Sequence, residues 1–402
     1  MQNIRVKFHG LSSTGAMVGK TVGPDGDERI GMTAFVPFAP PGDEADVTVT
    51  TAYKRHVEGA LTVLPTGKCT HFTTCGGCDL QHIDYARQLS LKREMVIGAL
   101  RKGGLGDVEV AEVVASSPYG WRRRVTLHGS RNGEIGYRPR GTHELIAVKE
   151  CPVAHPVIEE FLRAGFTLPA TLPHGGTLYL EVGDDGRLYG MLRTGMLDKA
   201  GMLASAEAMD DRLAGGVVEV AKTSEIRFGE VDSHPTLGSF SQANSEINEK
   251  LCAAVVAGAD GAETSLDLYA GAGNFAFPLV KAGLGVTAVE ADIALVSAAR
   301  ERARSEGVAE RLQVIQKRVE VYLKGTPAPT GYLVADPPRA GLGPLAEKLT
   351  FAPKMALISC DLAVAVRDLN ALGAAGWTIE TIHPFDMFPQ TGHIELLTLL
   401  TR

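Results

Sequence analysis

The chain has 402 residues, 45% of them apolar and 22% charged, with a formal net charge of −7. That length predicts two or three domains, and the composition is that of a folded globular protein rather than a disordered or fibrous one. Apolar runs never reach the roughly eighteen residues of a membrane helix, and Met1-Gln2-Asn3-Ile4-Arg5 has no signal-peptide pattern. Membrane insertion and export are therefore not expected, and a cytoplasmic location is.

Residues 1–62 alternate apolar and polar positions between glycine and proline turns, as in Ile4–Phe8, Met32–Pro37 and Ala45–Val49. Short strands at that spacing predict a small five-stranded, OB-like β-barrel. Tyr85–Lys102 reads as an amphipathic helix. Its Leu89, Met95, Val96 and Leu100 alternate with Arg87, Lys92, Arg93 and Lys102, and Gly103-Gly104 ends it.

Residues 110–240 return to strands, among them Arg123–His128 and Leu178–Val182, and predict a β-rich central domain. Within it, residues 121–150 hold Arg122, Arg123, Arg124, Arg131, Arg138, Arg140 and Lys149 against Glu134, Glu144 and Glu150. So dense a basic cluster in an acidic chain points to a phosphate-contacting surface with salt-sensitive binding. A solvated strand face is the alternative.

From Ser245 the pattern becomes alternating helix and strand. A helix over Ser245–Val256 precedes Asp267-Leu268-Tyr269-Ala270-Gly271-Ala272-Gly273-Asn274, a strand breaking into a glycine-rich turn. A helix over Phe277–Ala282 and a strand over Gly285–Glu290 follow, the strand ending in an acid that can accept ribose hydroxyls. This fits a Rossmann-like sheet that binds a nicotinamide cofactor, S-adenosylmethionine or no cofactor at all. Two further apolar runs, Gly331–Ala335 and Lys354–Ile358, lead into Asp336 and into Ser359-Cys360-Asp361. Reacting groups gather at the carboxyl ends of parallel strands, so cradle, acid and thiol should share one crevice. The combination points to a cysteine nucleophile beside a bound cofactor. Trp377–His383 and His393–Leu399 are expected to close the sheet as an antiparallel pair.

Six cysteines divide by context. Cys69, Cys75 and Cys78 are closely spaced, Cys151 lies downstream before Pro152, Cys252 sits in an apolar helical pattern, and Cys360 ends a strand. Three close thiols suit an iron–sulfur cluster or tetrahedral zinc, and their spacing does not separate the two.

Taken in order, Phe240-Ser241-Gln242-Ala243-Asn244, Asp336-Pro337-Pro338-Arg339-Ala340-Gly341-Leu342, Ile358-Ser359-Cys360-Asp361 and the run Phe385–Glu395 resemble the RNA uracil-5-methyltransferase family. Gly10, Gly15 and Gly19 with Pro40-Pro41-Gly42-Asp43 resemble its TRAM module, an RNA-binding barrel. The resemblance implies an α/β chain whose C-terminal Rossmann-like, class I methyltransferase domain (245–402) follows a TRAM-like barrel (1–62) and a β-rich central domain (63–244). Helix 85–102 would pack on the catalytic part.

The same resemblance implies methyl transfer from S-adenosylmethionine to carbon 5 of a uridine, through an adduct between Cys360 and uracil. Glu395 would be the proton acceptor, and Gln242, Tyr269, Asn274, Glu290 and Asp336 the cofactor-binding residues. Cys75-Gly76-Gly77-Cys78-Asp79-Leu80-Gln81-His82 is similar to the cluster-bearing members, which implies a 4Fe–4S cluster on Cys69, Cys75, Cys78 and Cys151. The implied partner is RNA, foremost 23S ribosomal RNA, for a chain acting as a monomer. Transfer RNA as substrate, or a non-catalytic RNA-binding or assembly role, are the alternatives. Two departures stand out: Asp361-Leu362 where the family commonly has asparagine and proline, and Gln316–Glu320 where a small acid is usual. A carboxylate at Asp361 would oppose thiolate formation if it pointed inward.

Overall fold

Strand β1 (Asn3–Leu11) buries Ile4, Val6 and Phe8 and exposes Arg5 and Lys7, because successive strand side chains point to opposite faces. The structure is a computed structural model and describes residues 3–23, 30–130, 132–142, 144–168, 176–195, 197–220, 224–233, 237–239, 241–325 and 327–402. Strands β1, β2 (Met17–Val22), β3 (Thr33–Val36), β4 (Glu44–Ala52) and β5 (His56–Leu61) close into a barrel in the order β1-β2-β3-β5-β4. Leu80, Ile83 and Leu91 pack against its core.

Leu91 belongs to helix α1 (Tyr85–Lys102), whose Val96 and Leu100 join the core of the last sheet instead. The helix therefore links barrel and catalytic sheet. Its polar face differs from the sequence expectation in one respect. Gln88 and Lys92 are fully buried, because partners from the C-terminal region meet them there.

The middle sheet combines β6 (Arg124–Gly129), β7 (Ile135–Tyr137), β8 (Ile146–Ala147), β9 (Thr177–Val182), β10 (Leu188–Thr194), β11 (Gly215–Val220) and β12 (Ser224–Gly229). Their order is β12-β11-β10-β9-β6-β7-β8. Helix α2 (Pro156–Ala164) supplies Ile158, Phe161 and Leu162 to its core, and α3 (Lys199–Glu207) crosses between the parallel strands β10 and β11.

After helix α4 (Ser245–Gly258) comes the doubly covered sheet. Strands β13 (Thr264–Leu268), β14 (Gly285–Glu290), β15 (Leu312–Gln316), β16 (Tyr332–Ala335), β17 (Lys354–Ser359), β18 (Thr378–Phe385) and β19 (Glu395–Thr401) run in the order β15-β14-β13-β16-β17-β19-β18. The first five are parallel, and β19 is antiparallel to both β17 and β18. Helices α5 (Ala276–Lys281), α6 (Ile293–Ser305), α7 (Val319–Tyr322) and α8 (Leu362–Ala374) cover the faces. All four residues of β16 are buried, as two apolar layers require. The terminal pair starts and ends later than its hydrophobic pattern predicts. Phe385 pairs with Glu395, so His393 stays in the connecting loop. Among the described residues no helix is long and apolar enough to cross a membrane.

Candidate active site

The chain leaves β13 for β14 on one side and returns to β16 on the other, which opens a crevice at their carboxyl ends. At the end of β13 the backbone turns left-handed at Tyr269 (φ 63°), Gly271 (φ 57°) and Gly273 (φ 95°). A Cβ on Gly273 would lie 2.6 Å from the Phe277 ring, whereas one on Gly271 would meet nothing within 4 Å. The turn thus packs tightly below and leaves room above for a ligand.

Glu290 ends β14 and accepts N–H groups from Gly271 at 2.9 Å, Ala291 at 2.7 Å and Asp292 at 2.8 Å. Its carboxylate is thereby aimed across the glycine turn. Asn274 is fixed by a reciprocal amide pair: Asn248 on α4 donates to Asn274 Oδ1 at 2.8 Å and accepts from Asn274 Nδ2 at 3.0 Å. Tyr269 is half-buried, and its phenol is pushed up to about 12 by burial first and then by Glu320 and Asp368. Gln242 is half-buried just before Asn244, whose side chain caps α4. Phe240, in the same motif, lies outside the described residues.

Beside this cradle, β17 ends at Cys360, an exposed residue. Its thiol is pushed up to about 11, by burial, then by Glu395, against the opposing pull of Arg339, with Asp336 also raising it. Asp336 follows β16, and burial pushes its carboxyl up to about 7. Glu395, 5% exposed, is held well above the ordinary carboxyl range by burial and then by Asp336. Behind them Asp267 is fully buried, and burial and then Asp336 raise its carboxyl too, against a lowering contact with the Ala276 backbone. So many carboxyls in one crevice cannot all be ionised at neutral pH. The arrangement offers a thiol, a cation that favours its thiolate, and carboxyls able to hold or take a proton.

Asp361 does not point at the thiol. Its Oδ1 accepts the Val364 N–H at 3.0 Å and caps α8. The opposition to thiolate formation comes instead from burial first, and then from Glu395 and Asp336. At the other departure, the Lys317 N–H donates to the Glu290 carbonyl and Arg318 pairs with Glu320, so this stretch braces the end of β14.

Arg339 and Asp267 are site groups that the sequence reading did not assign. Arg339 stands three residues after Asp336, and its reach toward Cys360 depends on how the loop folds back. Asp368 on α8 sets that fold by accepting the Leu342 and Gly343 N–H groups at 2.6 and 3.2 Å. Asp267 carried a signal, a carboxylate inside an otherwise apolar strand.

The basic cluster over 121–150 is largely committed internally. Arg123 donates to the Val182 carbonyl and Asp184, Arg124 to the Ser239 carbonyl, and Arg140 pairs with Asp79. Arg138 and Lys149 are exposed, and Arg131 lies outside the described residues.

Arg122, Arg138 and Arg140 also line a cavity of about 380 Å³ together with Cys69, Cys75, Cys78 and Cys151. Burial raises the Cys69 and Cys75 thiols and pushes Cys78 up to about 12, and each is raised further by its neighbouring cysteines. Among the described residues no three His, Cys, Asp or Glu converge closely enough to hold a single metal ion.

Residues 220–402 match the family model described as tRNA (Uracil-5-)-methyltransferase, and residues 2–62 match the TRAM domain. The first match begins ahead of residue 245, where the catalytic domain was expected to start. The curated 23S rRNA (uracil(1939)-C(5))-methyltransferase RlmD of Pectobacterium atrosepticum is 29% identical, covering 92% of this chain and 89% of its own. Its counterpart in Pectobacterium carotovorum subsp. carotovorum is similar to the same extent. Among solved structures, the Pyrococcus abyssi tRNA (uracil-54, C5)-methyltransferase in complex with S-adenosyl-L-homocysteine superposes with a TM-score of 0.71 at 23% identity. That alignment covers 99% of this chain and 100% of the other. At such identity the likeness is one of fold.

Proposed function

We propose that this chain, which belongs to the tRNA (uracil-5-)-methyltransferase family and carries a TRAM domain ahead of its catalytic part, transfers a methyl group from S-adenosylmethionine to carbon 5 of a uridine in 23S ribosomal RNA. The observation that carries this reading is the meeting of Cys360, Asp336 and Glu395 in one crevice beside the glycine cradle. The names of the similar curated proteins favour ribosomal RNA over transfer RNA. A binding or assembly protein has no use for a thiol beside buried carboxyls, which argues against the non-catalytic alternative.

S-Adenosylmethionine supplies an electrophilic methyl group on a sulfonium. Gln242, Tyr269, Asn274, Glu290 and Asp336 are the residues assigned to hold it, with Glu290 toward the ribose hydroxyls. Carbon 5 of uracil is a poor nucleophile until a group adds at carbon 6. Cys360 supplies that group once its proton is lost, a loss that Arg339 favours electrostatically. Carbon 5 then takes the methyl group, Glu395 removes the carbon-5 proton, and the thiolate leaves as the ring double bond re-forms. A carboxyl raised above its ordinary range is a stronger base when it does ionise, which suits this step.

We assign Cys69, Cys75, Cys78 and Cys151 to a 4Fe–4S cluster. The resemblance of Cys75–His82 to the cluster-bearing members of the family favours a cluster over zinc, and all four cysteines line one cavity. Arg122 and Arg140 beside Cys75 would balance its negative charge. Such a cluster would cross-link residues 69–78 to residue 151, and methyl transfer itself needs no redox step. The proposed units remain 1–62, 63–244 and 245–402, in a cytoplasmic monomer.

Mass-spectrometric mapping of uridine methylation in a strain lacking the gene tests the assignment. Loss of one 5-methyluridine from 23S ribosomal RNA is the expected result. Loss from transfer RNA would move the substrate, and no loss from any RNA would remove the function.

A further inference from the structure

The loop between β18 and β19 runs from Asp386 to Ile394 and delivers Glu395 as the first residue of its strand. A segment some three hundred residues earlier in the sequence grips it at successive points (separation 302 for the Gln88–Gln390 pair). Gln390 stands in a left-handed conformation at φ 69°, and its carbonyl accepts the N–H groups of Asp79 at 2.8 Å and Leu80 at 3.1 Å. Gln88 Nε2 donates to Gln390 Oε1 at 3.0 Å, while Gln88 Oε1 accepts the Gln390 backbone N–H at 3.3 Å. Closest to Glu395, the Asp79 Oδ2 accepts the Gly392 N–H at 3.1 Å.

Asp79 is 6% exposed and forms an ion pair with Arg140. No slack exists around it. A Cβ on Gly15 of the barrel would lie 2.3 Å from Asp79 Oδ2, and one on Gly392 would lie 2.4 Å from the Gly15 nitrogen. Barrel, cysteine-bearing segment and catalytic hairpin therefore touch at a single carboxylate. A carboxylate accepting a backbone N–H makes a charge-assisted bond, stronger than a neutral one.

We propose that Asp79 is a positioning residue for Glu395, holding the second half of the 386–394 loop so that the proton acceptor meets carbon 5 of the uracil. This rests on the reading of Glu395 as that acceptor. Cys360 neighbours Glu395 across the β17–β19 pair, yet its own backbone is held by β17 and the capped helix α8 and not by this loop, and the methyl-donor cradle lies on β13 and β14. Loss of the Asp79 bond should therefore slow proton removal and leave thiol addition and methyl transfer intact. A displacement near 1 Å in such a group is enough to cost about a hundredfold in rate.

The experiment compares full-length wild type, Asp79→Ala and Asp79→Asn on an RNA fragment carrying the target uridine, and on the same fragment with 5-fluorouridine there. With the fluorinated RNA, which cannot lose a proton from carbon 5, all three should form the covalent adduct at rates within about twofold. With ordinary uridine, Asp79→Ala should turn over at least tenfold more slowly and accumulate methylated adduct. Asp79→Asn keeps an acceptor oxygen and the side-chain volume, so it should recover most of the turnover and serves if the alanine variant does not fold. Turnover by Asp79→Ala equal to wild type overturns the inference. So does a fall in adduct formation that parallels the fall in turnover, and so does Asp79→Asn as impaired as Asp79→Ala with no adduct accumulating. A wild-type enzyme that forms no adduct at all overturns the covalent reading, and this inference with it.

Discussion

Lys92 Nζ donates to Asp386 Oδ1 across 2.5 Å, with both side chains sealed from solvent, and also reaches the Phe388 carbonyl at 3.2 Å. Burial pulls the lysine down and Asp386 pulls it back up. The pair ties α1 to the start of the loop that ends on Glu395. Removing one partner strands the other as an uncompensated buried charge, a loss of about 3–5 kcal/mol. Urea denaturation should register that loss for Lys92→Ala. The double change Lys92→Met with Asp386→Leu should recover much of it, since no lone charge remains. A Lys92→Ala midpoint equal to wild type would show that the pair is not holding the two regions together.

The thiol of Cys360, raised to about 11, is protonated at neutral pH. Raising the pH through 6–9 should therefore increase kcat/KM, by about tenfold per unit where the thiolate fraction limits the rate. Arg339 lowers this value, so Arg339→Ala should slow the reaction at pH 7.5 and shift the rise to higher pH, and Arg339→Lys should restore part of it. A flat profile in the wild type would mean that thiol ionisation does not limit the reaction.

Asn248 touches Asn274 through both amide bonds of a reciprocal pair. Asn248→Ala leaves Asn274 unheld, and unsatisfied amide groups cost roughly 1–3 kcal/mol. Calorimetry should show S-adenosylmethionine bound about tenfold more weakly, with the iron content unchanged. Unaltered affinity would place Asn274 outside the donor site.

Anaerobic purification should yield a brown protein with about four irons per chain. Cys151→Ser should lower the iron content, and Cys360→Ala should leave it as it was. Stoichiometric zinc without iron would contradict the cluster assignment.

Much of this site is legible in the sequence because strand ends advertise themselves. Apolar runs stopping at Tyr269, Glu290, Asp336 and Cys360 place four groups at one edge of a parallel sheet, and the sheet places them together. Side-chain direction is another matter. Asp361 sits beside Cys360 in sequence yet caps a helix, because an N-cap carboxylate satisfies a backbone N–H that nothing else would. Lys92 and Gln88 fall on the polar side of an amphipathic pattern yet are buried, since Asp386 and Gln390 about three hundred residues away (separations 294 and 302) meet them, alongside the nearby Leu80 and Ile83 carbonyls for Gln88, and no local periodicity records the distant partners. The arginines of 121–150 were visible as a cluster, but their density did not disclose that several turn inward to carbonyls and to the cysteine cavity.

The most direct measurement is the intact mass of the protein–RNA species formed with S-adenosylmethionine and an RNA fragment carrying 5-fluorouridine at the target position. Wild type should give a stable adduct whose mass includes one added methyl group, mapped to Cys360 by peptide sequencing. Cys360→Ala should give no adduct and no methylation of ordinary uridine, whereas Glu395→Gln should accumulate the methylated adduct even on ordinary uridine. Near-normal methylation by Cys360→Ala, or an adduct mapping to another residue, would contradict the covalent mechanism and the assignment of its nucleophile.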